Sequence, residues 1–128
     1  MSITRPLSEN DACAKLSETL EGYVVDIACA RKYPRNELVE RVRKHTHRCL
    51  NMGHCAESGY ALVDDDGCLS LLDPAGTPLV LDTIRGLSGA KGIRLRASRQ
   101  MEDGEMKTKR VLFVSVVSRG KGRGDFME

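Results

Sequence analysis

Side chains that can hold a metal ion are concentrated in one short stretch of the chain. All three histidines and three of the five cysteines fall within 27 residues. Thiolate and imidazole groups are the ligands that tetrahedral zinc sites use. The stretch therefore predicts a site for zinc or another soft metal ion. Its candidate residues are Cys29, His45, His47, Cys49, His54 and Cys55.

The spacing of these residues indicates which of them can meet at one ion. His45 and Cys49 are four residues apart in a segment that is predicted to be helical, so their side chains can converge. Cys29 is the last residue of the preceding predicted strand. Cys55 follows the end of the predicted helix, and the chain there can turn back so that its thiol reaches the same ion. We therefore expect a metal site formed by Cys29, Cys49, Cys55 and one of His45 or His47.

Three other interpretations of these residues stay open. The chain has no Cys-x-x-Cys pair, and small buried cysteines are common in protein cores, so the thiols can simply be packing residues. A cysteine beside a histidine can also act as a nucleophile, although no known hydrolase signature is present. Cys55 could form a redox-sensing pair with Cys29 or Cys49, because nearby basic residues lower a thiol pKa. Of the metal site and these three alternatives, we predict the metal site, in a non-enzymatic domain.

The charge of the chain is unevenly distributed. Residues 1–84 carry a net charge of −4, and residues 85–123 carry a net charge of +8. A basic half indicates an anionic partner, and binding of single-stranded nucleic acid is the alternative function that we predict. Few rings are available to stack on bases, namely Tyr23, Tyr60 and Phe113, and Phe113 is expected in the core. The candidate phosphate-binding residues are Arg94, Arg96, Arg99, Lys107, Lys109 and Arg110.

The elements that would position these residues are mainly strands. Alternating apolar residues predict a first strand over Leu20–Cys29, and Asn36 is a suitable cap for a helix over 37–50. Asp64–Gly67 predicts a hairpin turn, and the apolar run 110–118 is long enough for a central strand. The two strands of this hairpin, one further strand over 93–98 and a crossing segment complete a tally of five strands. We predict a five-stranded OB-like β-barrel with a helix between strands 1 and 2.

Length and composition are those of one domain. The chain has 128 residues, of which 41% are hydrophobic and 30% are charged, enough for one core and a soluble surface. We expect a polar N-terminal segment over 1–18, the barrel domain over 19–119 and a flexible tail over 120–128. No apolar segment is long enough to span a membrane, and no secretory signal is evident. These features predict a cytoplasmic protein with reduced cysteines and no membrane partner.

The chain also resembles a known group of proteins, most specifically in its first half. The residues that carry the resemblance are Gly22–Asp26 with Cys29, then His47 and Cys49, then Cys55–Gly59 and the segment 61–67. This pattern is similar to that of a family of small, mostly uncharacterised bacterial domains. The resemblance covers about residues 20–118 and implies an OB-like barrel. It supports Cys29 and Cys55 as site residues and implies no established activity.

Overall fold

The computed structural model describes residues 17–119, apart from the side chain of His54. The predicted N-terminal segment lies outside this range except for its last two residues, and the predicted tail 120–128 lies wholly outside it. Strands supply the main framework of the described part. They are β1 (Ser17–Asp26), β2 (Tyr60–Val63), β3 (Leu69–Leu71), β4 (Ala90–Glu102) and β5 (Glu105–Arg119).

Short helices fill the two long connections between these strands. Four of them lie between β1 and β2, as the sequence predicts for a helical insert, and one lies between β3 and β4. A single 3-10 turn at Arg35–Glu37 precedes the second of them. The helices are α1 (Ile27–Ala30), α2 (Leu38–Arg43), α3 (His47–Leu50), α4 (Gly53–Glu57) and α5 (Gly76–Ile84).

The five strands form one antiparallel sheet in the order β3-β2-β1-β4-β5. The number of strands agrees with the prediction, and so does the hairpin of β2 and β3 around the Asp64–Gly67 turn. Closure into an OB-like barrel is not confirmed. Within residues 17–119, β3 and β5 are the two edges of the sheet and do not pair with each other.

Two helix caps, Asp26 and Thr46, lie within segments for which the apolar pattern predicts one continuous strand and one continuous helix. The predicted extension of the first strand to Cys29 is wrong, because the Asp26 carboxylate accepts a hydrogen bond from the Cys29 amide and begins α1. The predicted continuous helix over 37–50 is also wrong. The His45 carbonyl accepts a hydrogen bond from the Gly92 amide of β4, and Thr46 caps a new helix, α3.

Apolar side chains cover both faces of the sheet. Successive residues of a strand point to opposite faces, and Val24 and Val25 accordingly belong to two different core clusters. The cluster of Val24 contains Val80 and Ile84 of α5, whereas the cluster of Val25 contains apolar residues of α1 and α2. Helices therefore lie on both sides of the sheet, and the insert of α1 and α2 is fixed against β1 and β2.

The last strand lies at an edge of the sheet. β4 and β5 form a long hairpin whose turn residues, Asp103 and Gly104, both have positive φ, at 51° and 84°. The prediction that the apolar run 110–118 forms a central strand is wrong, because β5 pairs only with β4 in the described chain. Phe113, expected in the core, is 47% exposed.

Candidate metal centre

Four potential ligands meet where the helical insert contacts the end of β1. Asp26, Cys29, His45 and Cys49 each offer one ligand atom, and these atoms all lie within 4.8 Å of one another. The residues come from the end of β1, from α1, from the α2–α3 connection and from α3. Groups so far apart in sequence meet only because tertiary packing holds the insert against the sheet.

The two cysteines occupy equivalent positions in two short helices. Cys29 is the third residue after its cap Asp26, whose Oδ2 accepts a hydrogen bond from the Cys29 amide at 2.9 Å. Cys49 is likewise the third residue after its cap Thr46, whose hydroxyl accepts a hydrogen bond from the Cys49 amide at 3.1 Å. The caps fix the backbone beside each thiol, and the two Sγ atoms lie 4.0 Å apart.

A buried chain of hydrogen bonds links three polar side chains beside the thiols. Burial raises the pKa of Asp26, but hydrogen bonds from His45 and from the Cys29 amide outweigh burial and hold this pKa below its ordinary value. Asp26 is therefore an ionised acceptor, and His45 Nε2–H donates to its Oδ1 at 2.7 Å. This bond leaves His45 Nδ1 as an acceptor for the Tyr33 hydroxyl at 3.1 Å.

The surroundings of Cys29 and Cys55 favour the protonated forms of these two thiols. Burial and the nearby Asp26 carboxylate raise the pKa of Cys29, and the same two causes raise the pKa of Cys55. A low thiol pKa is what makes a cysteine nucleophilic or quick to oxidise. In addition, His45 bonds to Asp26 and Tyr33 through its two ring nitrogens. This arrangement does not favour the cysteine nucleophile or the redox-sensing pair.

The distances can be compared with those of a tetrahedral zinc site. With Zn–S bonds of about 2.3 Å, a separation of 4.0 Å between the two Sγ atoms gives a bond angle of about 120°. The 2.7 Å between His45 and Asp26 is too short for both to bind one ion, which would need about 3.3 Å. The geometry fits two thiolates with one of these two groups as a ligand and the other supporting it.

The remaining predicted ligands have different positions. Cys55 is buried in α4, close enough to Asp26 and Cys49 for their charges to raise its pKa, but it lies outside the four-residue group. His47 also lies outside this group, and its Nε2–H donates to the Ile84 carbonyl of α5 at 2.9 Å. The His54 side chain lies outside what the structure describes. Among the predicted ligands, Cys29, His45 and Cys49 are therefore brought together.

Sequence reasoning missed Asp26 and Tyr33. Asp26 alternates with apolar residues of the first strand, a position that predicts a solvent-facing side chain, whereas it is fully buried. The signal that could have identified it is an aspartate at the end of an apolar strand, three residues before a cysteine. An aspartate in that position is a typical helix cap.

The predicted nucleic-acid-binding residues largely face acidic partners. Arg94 pairs with Glu21 and with Asp65 at 3.0 Å each, and Arg96 pairs with Glu21 at 2.8 Å. Arg99 pairs with Glu18, and Lys109 with Glu102. Tyr23 and Tyr60 are buried and cannot stack on bases, whereas Phe113 is exposed. These ion pairs reduce the positive charge that β4 could present to phosphates, and binding of single-stranded nucleic acid stays a prediction.

Comparisons with known proteins leave the function to be argued from the site. The chain gives no significant match to known protein families, to curated proteins or to solved structures. Among the described residues, none of the helices combines the length and apolar character needed to cross a membrane.

Proposed function

We propose that this chain is a small, non-enzymatic domain that binds a soft metal ion, with zinc as the preferred ion. The observation that carries the proposal is the meeting of Asp26, Cys29, His45 and Cys49, with ligand atoms within 4.8 Å of one another. Thiolate and imidazole ligands select soft or borderline ions such as zinc over magnesium or calcium.

In this proposal the two thiolates of Cys29 and Cys49 are the principal ligands. His45 is the third, and Asp26 orients and polarises its imidazole as carboxylates do beside metal-bound histidines. To bind, His45 must release the hydrogen bond from Tyr33 and present Nδ1 to the ion. We assign Cys55 as the fourth ligand, because it is buried in α4 close enough to Asp26 for the carboxylate to raise its pKa.

The chemistry of the thiols supports a cation at this place. Two thiolates 4.0 Å apart beside the Asp26 carboxylate would repel one another, so a positive charge placed between them stabilises the pair. A divalent ion supplies that charge and releases the thiol protons on binding. Four protein ligands leave no open position for a substrate, which is typical of structural zinc sites rather than catalytic ones.

The test is elemental analysis of the full chain, purified without added metal or chelator, together with a count of free thiols. We expect about one zinc ion per chain, and thiols that react fully only after chelation. Cys29→Ala and Cys49→Ala should each lower the bound zinc at least about tenfold. The matched control is Cys68→Ala, because Cys68 is an exposed cysteine outside the group.

Two results would overturn the proposal. One is wild-type protein that contains no metal, takes up none when zinc is added and has thiols that react without chelation. The other is a zinc content that Cys29→Ala and Cys49→Ala leave as high as Cys68→Ala does. Either result would return the cysteines to the role of packing residues in the core.

A further inference from the structure

The outer edge of β5 consists of two halves that differ in charge. The first half carries Lys107, Lys109 and Arg110, and charged side chains of this kind keep strand edges from pairing with other chains. The second half, Val111–Ser118, has no charged residue. Because β5 pairs only with β4 in the described chain, no strand covers the other side of this uncharged run, although the Val111 carbonyl at its start accepts a hydrogen bond from the Thr83 hydroxyl of α5 at 3.2 Å.

The uncharged half also exposes large apolar side chains. Leu112, Phe113 and Val117 are 45%, 47% and 44% exposed. The opposite edge of the sheet, β3, has only three residues, Leu69–Leu71, and offers a much shorter template for a partner strand. A long, apolar and uncharged edge is where soluble proteins recruit another strand.

A β-bulge arranges these side chains in two matching sets. The register between β4 and β5 shifts between Arg94 and Leu95, which leaves Val114 as an extra residue. Leu112 lies opposite Arg96, and the shift then places Val117 on the same face of the sheet as Leu112. Phe113 and Val116 share the other face, since they lie opposite Leu95 and Ile93. Each face therefore carries one apolar pair.

We propose that a second copy of this chain pairs with β5, antiparallel and about a two-fold axis between Val114 and Ser115. This register places Leu112 opposite Val117 of the second copy, and Phe113 opposite its Val116. Both apolar sets then meet a like set on the same face, as isologous pairing requires. The two sheets join into one continuous sheet of ten strands.

The flanks of this pairing do not oppose it strongly. Arg110 of one copy lies opposite Arg119 of the other, and like charges directly opposite each other are unfavourable. However, the Arg119 guanidinium donates to the carbonyls of Ser88 and Gly86 at 3.0 Å each, which holds its charge against its own chain. The interface is small, and we expect a dissociation constant on the order of 10 µM.

The first test is sedimentation equilibrium of the full chain from about 1 µM to about 500 µM. We expect the apparent mass to rise from that of a monomer to that of a dimer. Leu112→Lys should hold the chain at the monomer mass at every concentration. The matched control is Leu71→Lys, which places the same charge on the exposed leucine of the opposite edge and should leave the dimer intact. Thermal melting confirms that both variants fold.

A second measurement uses the unaltered chain and locates the interface. Amide hydrogen exchange of Val111–Ser118 should slow as the concentration rises through the dissociation constant, while exchange of Leu69–Leu71 stays constant. A chain that remains monomeric at about 500 µM overturns the proposal. So does a dimer that Leu71→Lys abolishes and Leu112→Lys does not, or one that protects β3 instead of β5.

Discussion

At the scale of single residues, the buried carboxylate of Asp26 holds two of the candidate ligands in position. Asp26 Oδ2 begins α1 by accepting from the Cys29 amide, and Oδ1 accepts from His45. The same residue therefore fixes the position of one thiol and the orientation of the imidazole. Both oxygens accept hydrogen bonds from protein groups, so Asp26 also contributes to the stability of the fold.

The first prediction concerns that stabilising role. Asp26→Asn keeps the shape of the side chain but removes the negative charge that accepts from His45 Nε2–H. The buried His45 imidazole is then left with a weaker hydrogen-bond partner. We expect the free energy of unfolding of the metal-free protein to fall by about 2–4 kcal/mol. The measurement is urea denaturation in the presence of a chelator.

An exposed aspartate provides the control for this substitution. Asp65→Asn removes an ion pair with Arg94 on a side chain that is 70% exposed, and should cost less than about 1 kcal/mol. Equal losses for Asp26→Asn and Asp65→Asn would contradict the organising role of Asp26.

The structure brings three of the candidate ligands together, Cys29, His45 and Cys49, but the physical reason that the sequence offered was incomplete. The sequence prediction placed His45 and Cys49 on one face of a continuous helix. Their side chains do meet, although the helix breaks between them where Gly92 of β4 bonds to the His45 carbonyl. That contact joins residues 47 positions apart, so the local pattern of apolar residues cannot predict it. Local pattern therefore identified the residue types, and tertiary contacts determine which of them meet.

At the scale of elements, a glycine allows β1 to approach β2 closely. A Cβ added to Gly22 would lie 2.5 Å from the Val63 carbonyl oxygen and 3.0 Å from the Asp64 nitrogen. These are backbone atoms at the end of β2, and they cannot rotate away as a side chain can. The glycine that leads the apolar run of β1 is thus required by the packing of the strand that ends at Asp26.

The second prediction follows from this close approach. Gly22→Ala should separate β1 from β2 and lower the free energy of unfolding by about 1–3 kcal/mol, the usual cost of overpacking. Gly86→Ala is the control, because an added Cβ there meets nothing within 4 Å. Chemical denaturation of the two variants measures the difference. If Gly22→Ala is no less stable than Gly86→Ala, the close approach does not restrict this position.

Elements were easier to predict than their places in the sheet. The alternation of β1, the Asp-Gly turns and the helical insert follow from local residue preferences, and the structure contains all three. Whether a strand is central or at an edge depends on what pairs with it. The run Val111–Ser118 has the apolar composition of a central strand, but it lies at an edge of the sheet. β4 and α5 therefore bury only some of its apolar side chains.

At the scale of the whole molecule, a polar link joins the two ends of the open sheet. Asp73 follows β3 by two residues, and its carboxylate accepts from the Thr108 amide and hydroxyl of β5 at 2.9 Å and 2.6 Å. Arg99 of β4 also donates to the Leu71 carbonyl at 3.1 Å. Since β3 and β5 are opposite edges, these bonds require a strongly curved sheet. Side-chain bonds therefore bring together two ends that no strand pairing joins within residues 17–119.

This link makes stability depend on pH in a direction that can be worked out. Burial raises the pKa of Asp73, but the hydrogen bonds from Thr108 outweigh burial and hold this pKa below its ordinary value of 3.8. A carboxyl with a lowered folded-state pKa stabilises the fold above the unfolded-state pKa. The contribution is lost as the pH falls from about 5 through the folded-state value.

The third prediction tests the link through that pH dependence. Asp73→Asn should lower the free energy of unfolding at pH 7 by about 1–2 kcal/mol, because it weakens two partly buried hydrogen bonds from Thr108. The difference from the wild type should shrink as the pH falls from about 5 through the folded-state pKa of Asp73, because the carboxyl becomes protonated first in the unfolded and then in the folded state. Urea denaturation across this range measures it, with Asp82→Asn, an exposed carboxyl that pairs with Arg85, as the control. A constant difference at every pH would mean that Asp73 contributes through its shape and packing, and that its charge does not hold the ends of the sheet together.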